Sequence, residues 1–240
     1  MEFDNKEYNY PDINNLTLAI IGLGYVGLPL GVELAKKQRS ILNGSILSRK
    51  VIGFDIDEKR IQELKSGFDR TNEISQNLAN IFFELTSDFE KLITADVFIV
   101  TVPTPIDNHK KPDLTALQNA TKTVAKVLKI KKSIEYNSKN SSIPIVIYES
   151  TVYPGTTEEV CIPLIEKESG LICDGQKKFT SFCCGYSPER INPGDKKHTI
   201  RDIVKVTSGS DEESAFWIDN FYGSIIDAGT YKAQSIKIAE

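Results

Sequence analysis

The stretch LTLAIIGLGYVGLPLGVELAKK, residues 16–37, restricts the possible folds of this chain more than any other. A short apolar run ends on Gly22, Gly24 and Gly27, after which Leu28, Val32 and Ala35 recur at helical spacing. That order reads as strand, tight turn, helix. The glycines fit G-x-G-x-x-G: the first permits the turn, the second lets backbone approach a pyrophosphate, and the third lets helix pack on strand. The helix N-terminus then faces the anion. Glycines can also mark a merely tight strand-to-helix turn, but a position between strand and helix favours dinucleotide binding.

The next segment, VIGFDIDEKRIQELKSG, repeats the pattern. Residues 51–54 form a buried strand, Asp57 caps a helix, and Gly67 closes it. Strand runs are expected at 97–102, 143–148, 182–185, 204–207 and 224–228, and helices at 114–128, 156–168 and 212–222. Strands alternating with helices predict an α/β chain with a Rossmann-like, doubly wound, mostly parallel sheet covered by helices on both faces. The expected organisation is a polar leader at 1–15, a nucleotide-binding domain at 16–228 and the start of a helix at 229–240. Residues 39–50 and 131–142 are polar and read as surface insertions or loops.

Composition limits what such a domain can meet. A net charge of -4 and a pI of about 5.4 provide no broad basic surface for nucleic acid or anionic membrane. Cys161, Cys173, Cys183 and Cys184 lack C-x-x-C spacing, and His109 and His198 are the only histidines, so no metal centre is expected. The N-terminal residues lack signal-peptide order, and no run approaches the roughly 18 apolar residues of a membrane span. The expectation is a cytoplasmic, reduced protein.

An acidic residue should close the second strand and hold the adenosine ribose, and Asp55 stands there. Its carboxylate would repel a 2′-phosphate, which favours NAD over NADP. Asp55 lies about a dozen residues beyond the roughly 20-residue spacing usual for this acid, an excess that residues 39–50 absorb if they loop out. A solvated strand-end acid is the alternative.

Three further clusters follow strands, at the edge where open α/β sheets bind ligands. VTVPTPID carries Pro103 and Pro105, which stiffen a loop expected to expose Thr101 and Thr104, or simply fix a turn. In YESTVYPGTTEE, Pro154 and Gly155 make a turn, and Thr156 with Glu159 read as a capping box, leaving Thr151 as the residue of interest. GYSPERINPGD holds Glu189 and Arg190 between Pro188 and Pro193. The terminal YKAQSIKIAE favours helix without a closing Gly, Asn or Pro, as though the helix runs on past residue 240.

Together IGLGYVGLPL, GFDIDEKRI, VTVPTPID, YESTVYPGTTEEV, GYSPERINPGD and SIKIAE resemble the UDP-glucose/GDP-mannose dehydrogenase family, in particular the UDP-N-acetylhexosamine 6-dehydrogenases of capsule and O-antigen synthesis. The resemblance covers nearly the whole chain but only about half of the family's length. It implies oxidation of a UDP-sugar C6 alcohol to the uronate with two NAD+, through a thiohemiacetal and a thioester. It assigns Gly22, Gly24, Tyr25, Val26, Gly27, Asp55 and Arg60 to the coenzyme, with Thr104 and Thr151 lining the nicotinamide side. Glu189 matches the carboxylate that handles protons, shared through a water with Thr151, while Arg190 and Asn192 meet the nucleotide-sugar. Arg60 could instead sit on a solvated helix face.

In the family a catalytic lysine and asparagine on a continued central helix, and a nucleophilic cysteine beyond it, follow the segment that SIKIAE matches. The four cysteines here then read as structural, and the chain alone as inactive. The full-length family is homodimeric, which leaves the assembly of this chain open. Also open is a non-catalytic NAD(H)-binding module, or a different dehydrogenase that shares only this half.

Overall fold

The computed structural model describes residues 9–74, 83–106, 109–135, 142–190 and 199–240. β1 (Thr17–Ile21) lies at the centre of the sheet, paired in parallel with β4 (Lys50–Phe54) on one side and β6 (Val97–Val100) on the other. Outward from β4 comes β5 (Phe83–Thr86), and outward from β6 come β7 (Ile145–Tyr148) and β9 (Ser181–Tyr186). The strand that starts the chain is therefore internal, and the order reverses between β1 and β6. This is the doubly wound arrangement that the alternating pattern predicts, with its crevice at the reversal. β10 (Lys205–Gly209) runs antiparallel to β9, β11 (Thr230–Lys232) runs parallel to β10, and β8 (Ile172–Cys173) pairs with the start of β9.

The central strands are buried on both faces, so their side chains alternate between two cores. Leu18 and Ile20 of β1, Val97 and Ile99 of β6, and Ile145 and Ile147 of β7 face α1 (Gly27–Ala35) and α5 (Glu212–Gly223). Ala19 and Ile21, Phe98 and Val100, and Val146 and Tyr148 face α3 (Thr115–Glu135) and α4 (Ile162–Ser169). Each fully buried aliphatic side chain contributes about 1.5–3 kcal/mol, so the sheet is held mainly by these two apolar layers.

Register determines where function can sit. Phe54, Ile21, Val100, Tyr148 and Tyr186 are consecutive partners across five parallel strands, so the loops that follow all leave from one edge. The antiparallel β10 brings its first residue, Lys205, to that same edge, since Ser208 pairs with Tyr186.

Several expectations change. Residues 224–228 form no strand: the N–H groups of Ile225 and Ile226 both donate to the Tyr222 carbonyl, at 3.0 and 3.1 Å, continuing the turn that ends α5. Their buried side chains belong to the core below, which is why the run is apolar. Residues 39–50 are more than a loop, because β2 (Gln38–Arg39) and β3 (Ile46–Leu47) form an antiparallel hairpin that buries Leu47.

The capping box at Thr156 and Glu159 does not form. Thr156 Oγ1 donates back to the Tyr153 carbonyl at 2.7 Å, and the N-terminus of the π-helical turn Thr157–Cys161 has no local side-chain cap. The Glu240 carboxylate takes that place, accepting from the N–H of Gly155 at 2.5 Å and of Thr157 at 2.8 Å. Glu240 follows α6 (Ile236–Ala239), whose N-cap is Ser235. No described helix is long and apolar enough to cross a membrane.

Candidate functional site

At the reversal between β1 and β6 the glycine turn leaves the sheet. Gly22 has φ +98°, a backbone state costly for any residue with a Cβ, and its N–H donates to the Phe54 carbonyl at 2.8 Å. Thr101 closes the turn from the next strand, donating its hydroxyl to the Gly22 carbonyl at 2.8 Å. Thr101 is buried at 7 % exposure, so the expectation that it is displayed on the proline loop does not hold. A Cβ on Gly27 would lie 2.0 Å from the Gly22 carbonyl oxygen and 2.3 Å from Thr101 Oγ1. A Cβ on Gly24 would meet nothing within 4 Å. The third glycine is thus demanded by packing and the second by an open approach to backbone. α1 begins after Val26 with no side-chain cap and no acid in its first turn, so no side chain neutralises its positive dipole end. Tyr25 is half-exposed beside this opening.

Asp55 emerges from β4 next to the turn. One carboxylate oxygen accepts from the Leu23 N–H at 2.9 Å and the other from the Asp57 N–H at 3.0 Å. It is therefore aimed into the glycine turn, and is not a loose strand-end acid. Asp57 caps α2 (Glu58–Lys65), accepting from the Lys59 N–H at 3.0 Å.

Arg60 is neither a solvated residue nor displayed in the crevice. It is 2 % exposed, donates Nε to the Leu23 carbonyl at 2.9 Å and Nη2 to Asp69 at 2.7 Å, and leaves Nη1 buried without a hydrogen bond. Asp55 and Arg60 thus grip the N–H and the carbonyl of the same residue, Leu23. The residues fit a dinucleotide: an uncovered glycine, an uncapped helix start and a half-buried carboxylate stand together.

The two loops that follow β6 and β7 are tied to each other. Ser150 Oγ donates to the Val102 carbonyl at 2.6 Å, and Thr104 Oγ1 donates to the Thr151 carbonyl. Thr151 remains exposed above this link. Tyr186, from the strand before Glu189, donates its hydroxyl to the Ser150 carbonyl at 3.2 Å.

Beneath Glu189 lies a charged cluster that no motif announced. Lys205 Nζ is 2.8 Å from Glu149 Oε2, 3.3 Å from Glu189 Oε2 and 3.3 Å from the Pro188 carbonyl, while the Tyr222 hydroxyl donates to Glu149 Oε1. Burial pushes the Glu149 carboxyl above its ordinary range, further than Lys205 draws it down. Burial pulls the Lys205 ammonium down, but Glu149 and Glu189 outweigh it and hold it above its ordinary value. Tyr222 is raised by burial and by Glu149. The sequence signal for this cluster was a glutamate and a lysine interrupting the apolar runs IVIYES and IVKV, since buried charges come in pairs.

Arg190 is exposed, its Nη1 3.3 Å from the Val204 carbonyl, and Asn192 lies outside the described residues. All four cysteines are free; Cys161, Cys183 and Cys184 are buried. Burial raises each thiol, Cys161 to about 11 and Cys173 to about 12, which leaves them poor nucleophiles.

Comparison with known proteins agrees with this geometry. The NAD binding domain of the UDP-glucose/GDP-mannose dehydrogenase family matches residues 16–226. The chain is 49% identical to Protein CapL of Staphylococcus aureus and 50% identical to a UDP-N-acetyl-D-glucosamine 6-dehydrogenase of Pseudomonas aeruginosa, over 94% and 95% of its length. It covers 47% and 48% of those two proteins, so it spans about half the length of the curated relatives it matches. Among solved structures, the NDP-N-acetyl-D-galactosaminuronic acid dehydrogenase of Methanosarcina mazei Go1 superposes with a TM-score of 0.74 at 26% identity, over 93% of this chain and 45% of that one. The UDP-D-ManNAc dehydrogenase of Pyrococcus horikoshii gives a TM-score of 0.74 at 27% identity, over 93% of this chain and 48% of that one. The glycine turn and Asp55 both lie within the matched NAD binding domain, and the chain belongs to the UDP-glucose/GDP-mannose dehydrogenase family.

Proposed function

We propose that this chain is the NAD-binding half of a cytoplasmic nucleotide-sugar 6-dehydrogenase that oxidises the C6 alcohol of a UDP-N-acetylhexosamine to the uronate. The observation that carries the reading is the convergence of the glycine turn, the linked Thr104–Thr151 loops and Glu189 at one sheet edge. NAD+, when bound, accepts hydride from the alcohol carbon. Gly22, Gly24 and Gly27 with the start of α1 hold its diphosphate, and Tyr25 and Val26 line the same turn. Asp55 binds the adenosine ribose and disfavours a 2′-phosphate. Arg60 supports the turn from behind by fixing Leu23.

Thr151 stands on the nicotinamide side, and its loop is fixed from below by Ser150 and Thr104. Glu189 handles the proton released from the alcohol, a task for a carboxylate at the outer end of the buried charge cluster. Arg190 and Asn192 meet the nucleotide-sugar. The second half of the relatives' length supplies the remaining groups, including the nucleophile, so the 240-residue chain binds coenzyme without turnover.

The test is a pair of assays with UDP-N-acetylglucosamine, its galacto isomer and UDP-N-acetylmannosamine. The chain alone should bind NAD+ and form no NADH. The reading frame extended through a second half should form two NADH per sugar with at least one substrate. NADH formation by the 240-residue chain unaided would contradict the reading, as would an extended protein inert toward all three.

A further inference from the structure

Lys205 reaches the ligand edge only because β10 runs antiparallel to its neighbour, and its ammonium lies between two carboxylates, Glu149 at 2.8 Å and Glu189 at 3.3 Å. The lysine is buried at 7 % and the Glu149 side chain is fully enclosed, whereas Glu189 is at the cluster's outer end, with 13 % of its side chain exposed. The inner carboxylate has a second donor, the Tyr222 hydroxyl of α5, and the ammonium has a third acceptor, the Pro188 carbonyl. Arg190, next along the loop, turns its guanidinium to the Val204 carbonyl.

We infer that Lys205 is a positioning residue for Glu189: its ammonium ties both the Glu189 carboxylate and the Pro188 backbone to the sheet edge, while Glu149 and Tyr222 hold the ammonium in place. A cation bonded at once to a loop's backbone and to its carboxylate fixes both through one group, and the inner carboxylate offsets the cost of burying that cation. Glu189 keeps part of its side chain open, whereas Glu149 is enclosed.

The assignment rests on reading Glu189 as the proton-handling group. Its test reads the surroundings of Glu189 with neither coenzyme nor sugar present, so its failure leaves coenzyme binding by the same chain unaffected. The 240-residue chain is labelled with ¹³C at glutamate carboxyls, and Glu189→Gln identifies the Glu189 resonance. In Lys205→Met with a native-like amide spectrum, the Glu189 resonance should move from its wild-type position, and Lys205→Arg, which keeps a cation at the same place, should bring it back toward that position. If Lys205→Met does not fold, Lys205→Gln takes its place in the comparison. A Glu189 resonance unmoved in the folded Lys205→Met or Lys205→Gln, or moved as far in Lys205→Arg, would overturn the assignment.

Discussion

Gly24 and Gly27 stand three positions apart and are glycine for opposite reasons. At Gly27 a methyl group would be driven into the Gly22 carbonyl and the Thr101 hydroxyl, so Gly27→Ala should cost about 3 kcal/mol or more of stability in denaturant unfolding, the upper end for overpacking. At Gly24 the space is open, so Gly24→Val should unfold at the wild-type midpoint yet lose NAD+ in calorimetry. A Gly24→Val protein that is unstable would mean that the second glycine is a packing residue too. Asp55 permits a similar separation. Its carboxylate accepts from the Leu23 and Asp57 N–H groups, and the amide of Asp55→Asn retains one acceptor while losing the charge that repels a 2′-phosphate. The preference for NAD+ over NADP+ should narrow by about tenfold, or roughly 1.4 kcal/mol. Unchanged discrimination would remove Asp55 from the selectivity role.

At the scale of elements, the strand-turn-helix unit and the Asp57-capped helix were legible because their signals are local: a glycine needing φ +98°, a carboxylate two residues from the amide it caps. The start of the π-helical turn was misread because its cap comes from Glu240, far along the chain and invisible to any window of sequence. Glu240→Ala should therefore cost about 1 kcal/mol, the usual cost of removing a helix cap. Glu159→Ala should cost less than about 0.5 kcal/mol, since its contact with Lys237 at 3.5 Å is an exposed ion pair. The reverse ranking in urea melts would reinstate the local capping box. The Glu149–Lys205 pair was hidden for the same reason, each partner alone looking like an odd charge at a strand end. Likewise Ile225 and Ile226 read as strand because apolar runs report burial, and burial in a helix-ending turn leaves the same mark.

At the scale of the whole molecule, many acidic groups are buried in neutral form. Burial holds Cys161 at about 11 and Cys173 and Tyr186 at about 12, and lifts Tyr148 and Tyr222 well above the phenol's ordinary value, against ordinary values of 9.0 for the thiols and 10.0 for the phenols. For a group raised by folding, the stabilisation is complete below its unfolded value and is lost as pH climbs toward the folded one. Stability should thus decline progressively above about pH 9, and a flat unfolding midpoint from pH 8 to pH 11 would show that these groups are not sheltered. The match to the family's NAD binding domain at residues 16–226 covers the sheet as far as β10, the helices on both its faces and the crevice, and the relatives are about twice as long. The proposed task of the matched domain is to hold coenzyme. Calorimetric titration of the 240-residue chain with NAD+ and NADP+ tests that most directly: the account predicts saturable NAD+ binding with clear preference over NADP+, and a folded chain that binds neither, or both equally, would contradict it.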